Sequence, residues 1–457
     1  MKILLINPPA RKPEYQSIVV PPLGLLYVAA HLKSAGFDVS VKDAFAESMD
    51  WAQFAAYIRD EKPEVLCIGG MSPVIDTVFK AIKIARPNTR FIVMGGPHAS
   101  LYRQSVFDQC PEVDYVVTGE GEETATALMK ALEAGATVAG IAGVVSKSII
   151  NDDRPLISDI DALHNPDRSL VPNNLYRYPL LKYRQATTMM TSRGCPYGCT
   201  FCDKSTFGST WRARSVENIL TEIDEIINRY QIRSVIFYDD LFTVKKERVT
   251  GLCEEILRRG YKFDWKCEGR VNLVDSEVMR LMRRAGCSMI AYGVESANRI
   301  GLDYLNKNIS VDQIIRAFEM TRQAGIRTMA YFILGIPVET YEDELNTIAL
   351  AKKIRATYAQ FSILSPYYGT KVYDDAIKKG WYAEVDAHNP MDKDLKRPVI
   401  LSDNWDEEKL KRILKTAHRE FYLRPAYMAR LVLSIRSVHQ AVGYTKEFLN
   451  VISWMQR

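Results

Sequence analysis

Residues 191–204 read TSRGCPYGCTFCDK, and the thiols of Cys195, Cys199 and Cys202 in this stretch decide how the rest of the chain is read. Their C-x3-C-x2-C spacing lies in a loop broken by glycine and proline, so the side chains can converge on a soft metal centre. A structural zinc site calls for a fourth Cys or His, and none follows within the next fifty residues. Thiolates also hold iron-sulfur clusters, and three ligands on a four-iron cluster leave one iron free for a non-protein group. The bland alternative is three structural thiols in a turn. The scatter of Cys67, Cys110, Cys253, Cys267 and Cys287 gives it little support.

Outward from this loop, apolar runs alternate with helical periods. Strands are expected at 187–191, 235–238, 263–268, 289–294, 328–334 and 360–364, with helices at 215–230, 246–260, 276–286 and 311–325. Repeated strand-helix units predict a partial or full parallel β/α barrel over residues 187–375, with its chemistry on the loops at the strands' carboxyl ends.

Upstream, residues 1–148 alternate in the same way. Strands are expected at 3–6, 38–42, 65–69, 90–94 and 115–117, and helices at 23–33, 49–60 and 75–85. This is a Rossmann-like α/β domain whose ligand lies beyond the strands' carboxyl ends. Those ends are Asn7-Pro8-Pro9, Gly69-Gly70-Met71-Ser72, Gly95-Gly96-Pro97-His98 and Gly119-Glu120-Gly121-Glu122. No G-x-G-x-x-G opens the first helix, which argues against a nicotinamide cofactor.

Residues 149–186 read as an ordered linker, with a hairpin turn at 151–155 and tyrosines Tyr176, Tyr178 and Tyr183 either packed on a surface or lining the junction. Residues 376–457 read as a mainly helical cap. A helix beginning near Asp406 carries the stripe Leu410, Ile413, Leu414 and Ala417, Pro425 breaks it, and an amphipathic pattern resumes at 428–442.

The 457 residues, 47% hydrophobic and 25% charged, describe a globular chain of more than one domain. A net charge of +5 without a Lys/Arg block does not indicate nucleic acid. The first residues pass straight into a strand without a signal-peptide layout, and no apolar run reaches membrane-spanning length. With no disulfide framework, a cytoplasmic location is expected, peripheral to the membrane if the substrate is a lipid.

The cysteine loop is the signature of radical S-adenosylmethionine (SAM) enzymes. Together with Asn7-Pro8-Pro9, Pro22-Leu23-Gly24 and Gly95-Gly96-Pro97-His98, it makes residues 1–375 resemble the class in which such a domain follows a cobalamin-binding domain. The resemblance implies a [4Fe-4S] cluster on Cys195, Cys199 and Cys202, SAM on the fourth iron, and cobalamin on the first domain. In that likeness Ser72, Gly95, Gly96, Gly119 and Glu120 border the corrin. The Asp-x-His-x-x-Gly motif that supplies a cobalt-ligating histidine elsewhere is absent, so Met71 is the candidate to cover the lower face, by packing rather than coordination. His98 is a candidate cofactor contact, with a hydrogen bond to loop backbone as the favoured alternative.

Within the second domain, Tyr197 and Phe201 lie between the ligands, where the resemblance implies that they cover the cluster from water. By the same likeness Asp239 or Asp240 is a candidate to orient SAM or substrate, with a helix cap as the alternative for one of them. Arg270 reaches a carboxylate. Gly293-Val294-Glu295-Ser296 resembles the segment that meets the methionyl carboxylate and ribose, and residues 333–337 resemble the apolar segment beside adenine. Gly293 and Gly335 are expected to let the cofactor approach closely.

The activity implied by this likeness is methylation of an unactivated carbon through a 5'-deoxyadenosyl radical and methylcobalamin. Its alternative is a cyclisation or rearrangement with the same cofactors, as in the anaerobic magnesium-protoporphyrin ester cyclase. A methylthiotransferase fits less well, because the first domain lacks a further three-cysteine set and no terminal RNA-binding module is evident. A corrinoid carrier without catalysis does not explain the complete cysteine loop. The expected partners are a small-molecule substrate, hydrophobic lipids and tetrapyrroles included, and an external electron donor such as flavodoxin or ferredoxin.

Overall fold

The computed structural model describes residues 1–9, 18–386, 396–425, 427–429, 441, 442 and 445. The first layer runs β1 (Lys2–Asn7), α1 (Leu23–Ser34), β2 (Asp38–Asp43), α2 (Trp51–Glu61), β3 (Val65–Gly69), α3 (Ile75–Ala85), β4 (Phe91–Gly95), α4 (Gly96–Tyr102), α5 (Val106–Gln109), β5 (Tyr115–Val117), α6 (Gly121–Glu133) and β6 (Val144–Ser146). The sheet order is β2-β1-β3-β4-β5-β6, parallel except for β6. Ile3 to Ile6 are all buried because each face of β1 has its own core. Leu4 and Ile6 pack with Phe54 and Ile82, whereas Ile3 and Leu5 pack with Ala29 and Leu128.

The second layer runs β7 (Ala186–Met189), β8 (Ser192–Arg193), β9 (Arg212–Ala213), α7 (Val216–Asp224), β10 (Ser234–Phe237), α8 (Lys246–Arg258), β11 (Asp264–Gly269), α9 (Ser276–Arg284), β12 (Cys287–Glu295), α10 (Arg299–Tyr304), α11 (Val311–Gln323), β13 (Arg327–Leu334), α12 (Tyr341–Lys353) and β14 (Tyr358–Ile363). Its six main strands are all parallel in the order β14-β13-β12-β11-β10-β7. Among the described residues β14 and β7 do not pair, so the sheet is an open half-barrel rather than a closed one. Its helix-facing side chains, among them Phe237, Trp265, Phe332 and Phe361, share one large core. Tyr178 and Leu181 plug the floor of the concave side against Ala186, Ile236, Met289 and Tyr358.

The chain continues through α13 (Lys371–Lys378), the hairpin β15 (Tyr382–Asp386) and β16 (Lys396–Ile400), and α14 (Glu407–Tyr422). The α14 stripe Leu410, Ile413, Leu414 and Ala417 is buried in the half-barrel core. The helix stops before Pro425, whose ring disfavours a helical predecessor. The amphipathic stretch expected at 428–442 lies mostly outside the described residues, as does the turn after Asp386. Among the described residues no helix is long and apolar enough to cross a membrane.

Local details differ from the sequence expectation. The hairpin beside the first sheet turns ahead of 151–155: Val145 bridges Ile150, and Ser146 N–H donates to Ile149 O at 2.8 Å. Asn151 is used instead as a brace, its amide nitrogen donating to Val138 O and Val144 O. The helix expected over 215–230 is α-helical only to Asp224 and ends in a π turn. The connecting segment is tied to both layers. Tyr176 is buried and its hydroxyl donates to Asp43 Oδ2 at 2.9 Å, while buried Arg168 pairs with Glu222 at 2.6 Å.

Candidate active site

The cysteine loop leaves the carboxyl end of β7 through Gly194. This residue has φ +80°, and a Cβ there would collide with Thr210 O, so only glycine suits the position. Asp239 and Asp240, just past β10, hold the loop's entry. Asp239 accepts from Thr191 N–H (2.6 Å), the Thr191 hydroxyl (2.5 Å) and the Ser192 hydroxyl (2.6 Å), and Asp240 accepts from Gly194 N–H at 3.0 Å. Neither caps a helix, because α8 starts only at Lys246, after Lys245. Burial raises the Asp240 pKa, and the Gly194 N–H opposes that rise.

The loop is fixed from outside by Lys204, whose ammonium donates to Cys195 O and Tyr197 O, and by Asn306, which donates to Gly198 O at 2.7 Å. Thr200 binds Leu305 O and Tyr304 O. Cys195 and Cys199 are half-buried, Cys202 is exposed, and the other five cysteines are buried; none forms a disulfide. Among the described residues no three Cys, His, Asp or Glu side chains converge on a single-ion site. Three thiols on one pinned loop, none of them fully buried, are a donor set that suits an iron-sulfur cluster with one iron left open.

Behind the loop the structure joins several expected residues. The Arg270 guanidinium stacks 3.8 Å from the Tyr197 ring centre and donates to Lys307 O. Its Nε is buried without a partner, which leaves a donor for a group not belonging to the protein. Lys307 pairs with Glu295 at 2.7 Å and lies over Phe201. Glu295 takes φ +66° at the point where the β12–β13 register slips, and this strained turn aims its carboxylate back toward Gly293.

Three expected roles meet other partners. The Ser296 hydroxyl donates to Glu339 Oε1 at 2.5 Å. The space a Cβ would take at Gly293 holds Glu295 and Lys307, and at Gly335 it holds Leu410, so the close approach there is made by the protein's own side chains. Burial pushes Glu339 up to about 7. Sequence reading missed Lys307, Asn306 and Glu339, although Glu339 lies only two residues past the quoted 333–337 segment.

On the first sheet, the glycine loops after β3 and β4 brace each other. His98 N–H donates to Gly70 O, and a Cβ on Gly96 (φ +86°) would press on Gly70 N at 3.3 Å. His98 is buried, with Nδ1 3.0 Å from Ser72 Oγ and Nε2 3.0 Å from Gln109 Oε1, so side chains rather than loop backbone occupy its ring nitrogens. Burial lowers its pKa, and the hydrogen bond to Gln109 opposes that fall. Met71 projects from the same rim, 60% exposed, and Gly119 (φ +68°) opens on empty space. Exposed thioether, open glycine and the absence of a free histidine in these loops fit a corrin face covered by packing.

Glu120, expected at the corrin border, is engaged by the protein's own cations. Its oxygens bind Arg193 Nη1 and Arg212 Nη1, each at 2.7 Å, and Ile157 N–H at 2.8 Å; neighbouring Glu122 binds Arg193 Nη2 at 2.5 Å. Arg193 is also sandwiched between Tyr27 and Phe207. Burial alone would raise Glu122, but Arg193 overrides it and the net shift is downward. A second contact, Tyr102 stacked on Tyr368 at 4.9 Å, joins the segment after β4 to the segment after β14. The carboxyl ends of the two sheets thus meet.

Residues 189–351 match the radical SAM superfamily model, and residues 18–129 match the B12 binding domain model. An uncharacterized methyltransferase of Pyrococcus horikoshii is 33% identical over 439 residues, covering 94% of each chain. The anaerobic magnesium-protoporphyrin IX monomethyl ester cyclase of Cereibacter sphaeroides is 30% identical over 78% of this chain and 60% of its own. The radical SAM methyltransferase TsrM of Kitasatospora setae, solved with cobalamin and a [4Fe-4S] cluster, has the same fold at a TM-score of 0.74, with 16% identity and 99% of each chain covered. With a cysteine loop on one sheet, a glycine-rimmed cradle on the other and relatives matching both, the chain belongs to the radical SAM enzymes that carry a B12-binding domain.

Proposed function

We propose that this enzyme is a cobalamin-dependent C-methyltransferase. The observation that carries the reading is the meeting of the two carboxyl-end rims through Arg193 and Glu120, which sets the cysteine loop beside the glycine loops of the first sheet. Similarity to a methyltransferase along 94% of both chains supports it. Cys195, Cys199 and Cys202 would hold the cluster, and Met71 with the loops at Gly95, Gly96 and Gly119 would hold the corrin. When bound, these groups and SAM supply an electron, a carbon-centred radical and a methyl group.

The protein's own residues do the placing. Asp240, Lys204 and Asn306 keep the cysteine loop in one conformation. Arg270 offers its free Nε to a carboxylate, with Tyr197 stacked beneath it. Phe201, packed beside Leu305 and Ile336, keeps water from that side. A hollow of about 720 Å³ bordered by Cys199, Cys202, Lys204 and Lys371 opens the loop to the outside, and it is the side from which a reduced flavodoxin or ferredoxin would deliver its electron.

The test is anaerobic reconstitution with iron, sulfide and cobalamin, followed by mass analysis of extract fractions after incubation with methyl-labelled SAM. A labelled methyl group on an extracted molecule, with 5'-deoxyadenosine, is the expected result. The likeness to the ester cyclase favours a second reading, cyclisation or rearrangement. It predicts an unlabelled product with altered rings or hydrogen count.

A further inference from the structure

The concave face of the half-barrel is not apolar throughout. Side chains alternate across a strand, and Phe237, Trp265, Cys267, Phe332 and Phe361 all lie in the helix-side core. Tyr238, Lys266, Glu268, Tyr331, Gln360 and Ser362 therefore line the opposite face. That face is open: Tyr238 is 54% exposed, and Gln360 and Ser362 are exposed within a strand whose neighbouring Phe361 is buried.

At its centre is an unequal carboxylate. Glu268 Oε1 receives the Lys266 ammonium at 2.7 Å and the Tyr331 hydroxyl at 3.5 Å. Lys266 is nearly buried and also faces the Tyr178 ring at 5.5 Å, so it is held within the wall. Glu268 keeps 29% of its side chain exposed, and its Oε2 has no partner among the described residues. Such an oxygen accepts N–H or O–H donors, and leaving it facing hydrocarbon costs its hydration. Tyr238 and Tyr331 supply flat surfaces on either side of it.

We infer that this face holds an organic substrate with an aromatic or apolar body and an amine or hydroxyl group, the donor bonding to Glu268. The inference rests on the radical SAM reading of the half-barrel and narrows the substrate class. A saturated lipid without a donor and an anion presented to Glu268 are both disfavoured.

The test uses the full-length chain, anaerobically reconstituted, with four probes: phenethylamine, phenethyl alcohol, phenylpropionate and ethylbenzene. Affinities are read by ligand-observed saturation-transfer NMR. The amine and the alcohol are expected to bind about tenfold tighter than the other two, the factor that one hydrogen bond to a charged group supplies. Replacing the pair together, Lys266→Met with Glu268→Leu, avoids an orphan buried charge and should erase this order while keeping ethylbenzene binding. Glu268→Gln, which keeps the shape, should lower the phenethylamine to phenylpropionate ratio. No binding by any probe, ethylbenzene binding as well as the amine, or an order that survives both variants would overturn the inference. Absence of methyl label from every product would instead remove methyl transfer and leave the probe order unchanged.

Discussion

Arg193 Nη1 lies 2.7 Å from Glu120 Oε1, with both side chains almost wholly buried, and this pair joins the strand end that carries the cysteines to the glycine loop of the other sheet. Two arginines face two glutamates here, so the buried charges balance. Such a network costs desolvation, and its worth lies in holding one relative position of the two rims.

Arg193→Met leaves Glu120 with Arg212 as its one arginine and deprives Glu122 of its own. The expected loss is about 3–5 kcal/mol in denaturant unfolding. Glu120→Gln, which keeps the shape, should cost less. Equal stability of wild type and Arg193→Met would show that the pair does not hold the rims together.

Cys195→Ala, Cys199→Ala and Cys202→Ala should each lower bound iron and abolish the cluster's visible absorbance, with far-ultraviolet circular dichroism unchanged. Cys253→Ala should leave the iron content intact, because that thiol is buried in the helix-side core. Iron retained after all three loop substitutions would place the cluster elsewhere.

Met71→Asp sets a carboxylate on the exposed rim where a corrin face would pack. Corrin retained after gel filtration should fall about tenfold. His98→Ala should leave the absorbance bands of bound corrin in place, since Ser72 and Gln109 already occupy both ring nitrogens. A band shift in that variant would identify His98 as a cobalt ligand.

Glu339 gives a pH dependence. Burial raises it from the ordinary 4.5 to about 7, against the Ser296 hydroxyl, which lowers it. Below 4.5 both folded and unfolded chains keep the proton. As pH rises from 4.5 through 7 the unfolded chain ionises first, so stability declines across that window and levels off beyond it. The difference is worth roughly 3 kcal/mol. Glu344, raised by burial and then by Glu339, acts with the same sign. Glu339→Gln should therefore flatten the unfolding free energy measured across that window without abolishing its slope; an unchanged slope would show that Glu339 stays ionised.

The two parallel sheets were legible because strands such as Ile3–Ile6 and Val235–Phe237 are buried on both faces and read as short apolar runs between helical periods. The cysteine loop was legible because its ligands are neighbours in the chain. Glu120 and Arg193 were not, since they pair across 73 positions and neither has a local pattern that names its partner. Asp239 shows the same limit. An aspartate after a strand looks like a cap until the adjacent strand end, Thr191 and Ser192, is placed against it. Gly335 was legible as a glycine that something approaches, but that the visitor is Leu410 depends on how a distant helix packs.

The seam formed by Glu120, Glu122, Arg193 and Arg212 also bears on modularity. Transplanting residues 1–148 onto another cluster domain would strand two carboxylates at a buried surface, and the recipient would inherit their repulsion without the cations that answer it. The two halves are matched by charge as closely as a lock to its key, and a chimera that ignores this pairing should be recovered as aggregate rather than as enzyme.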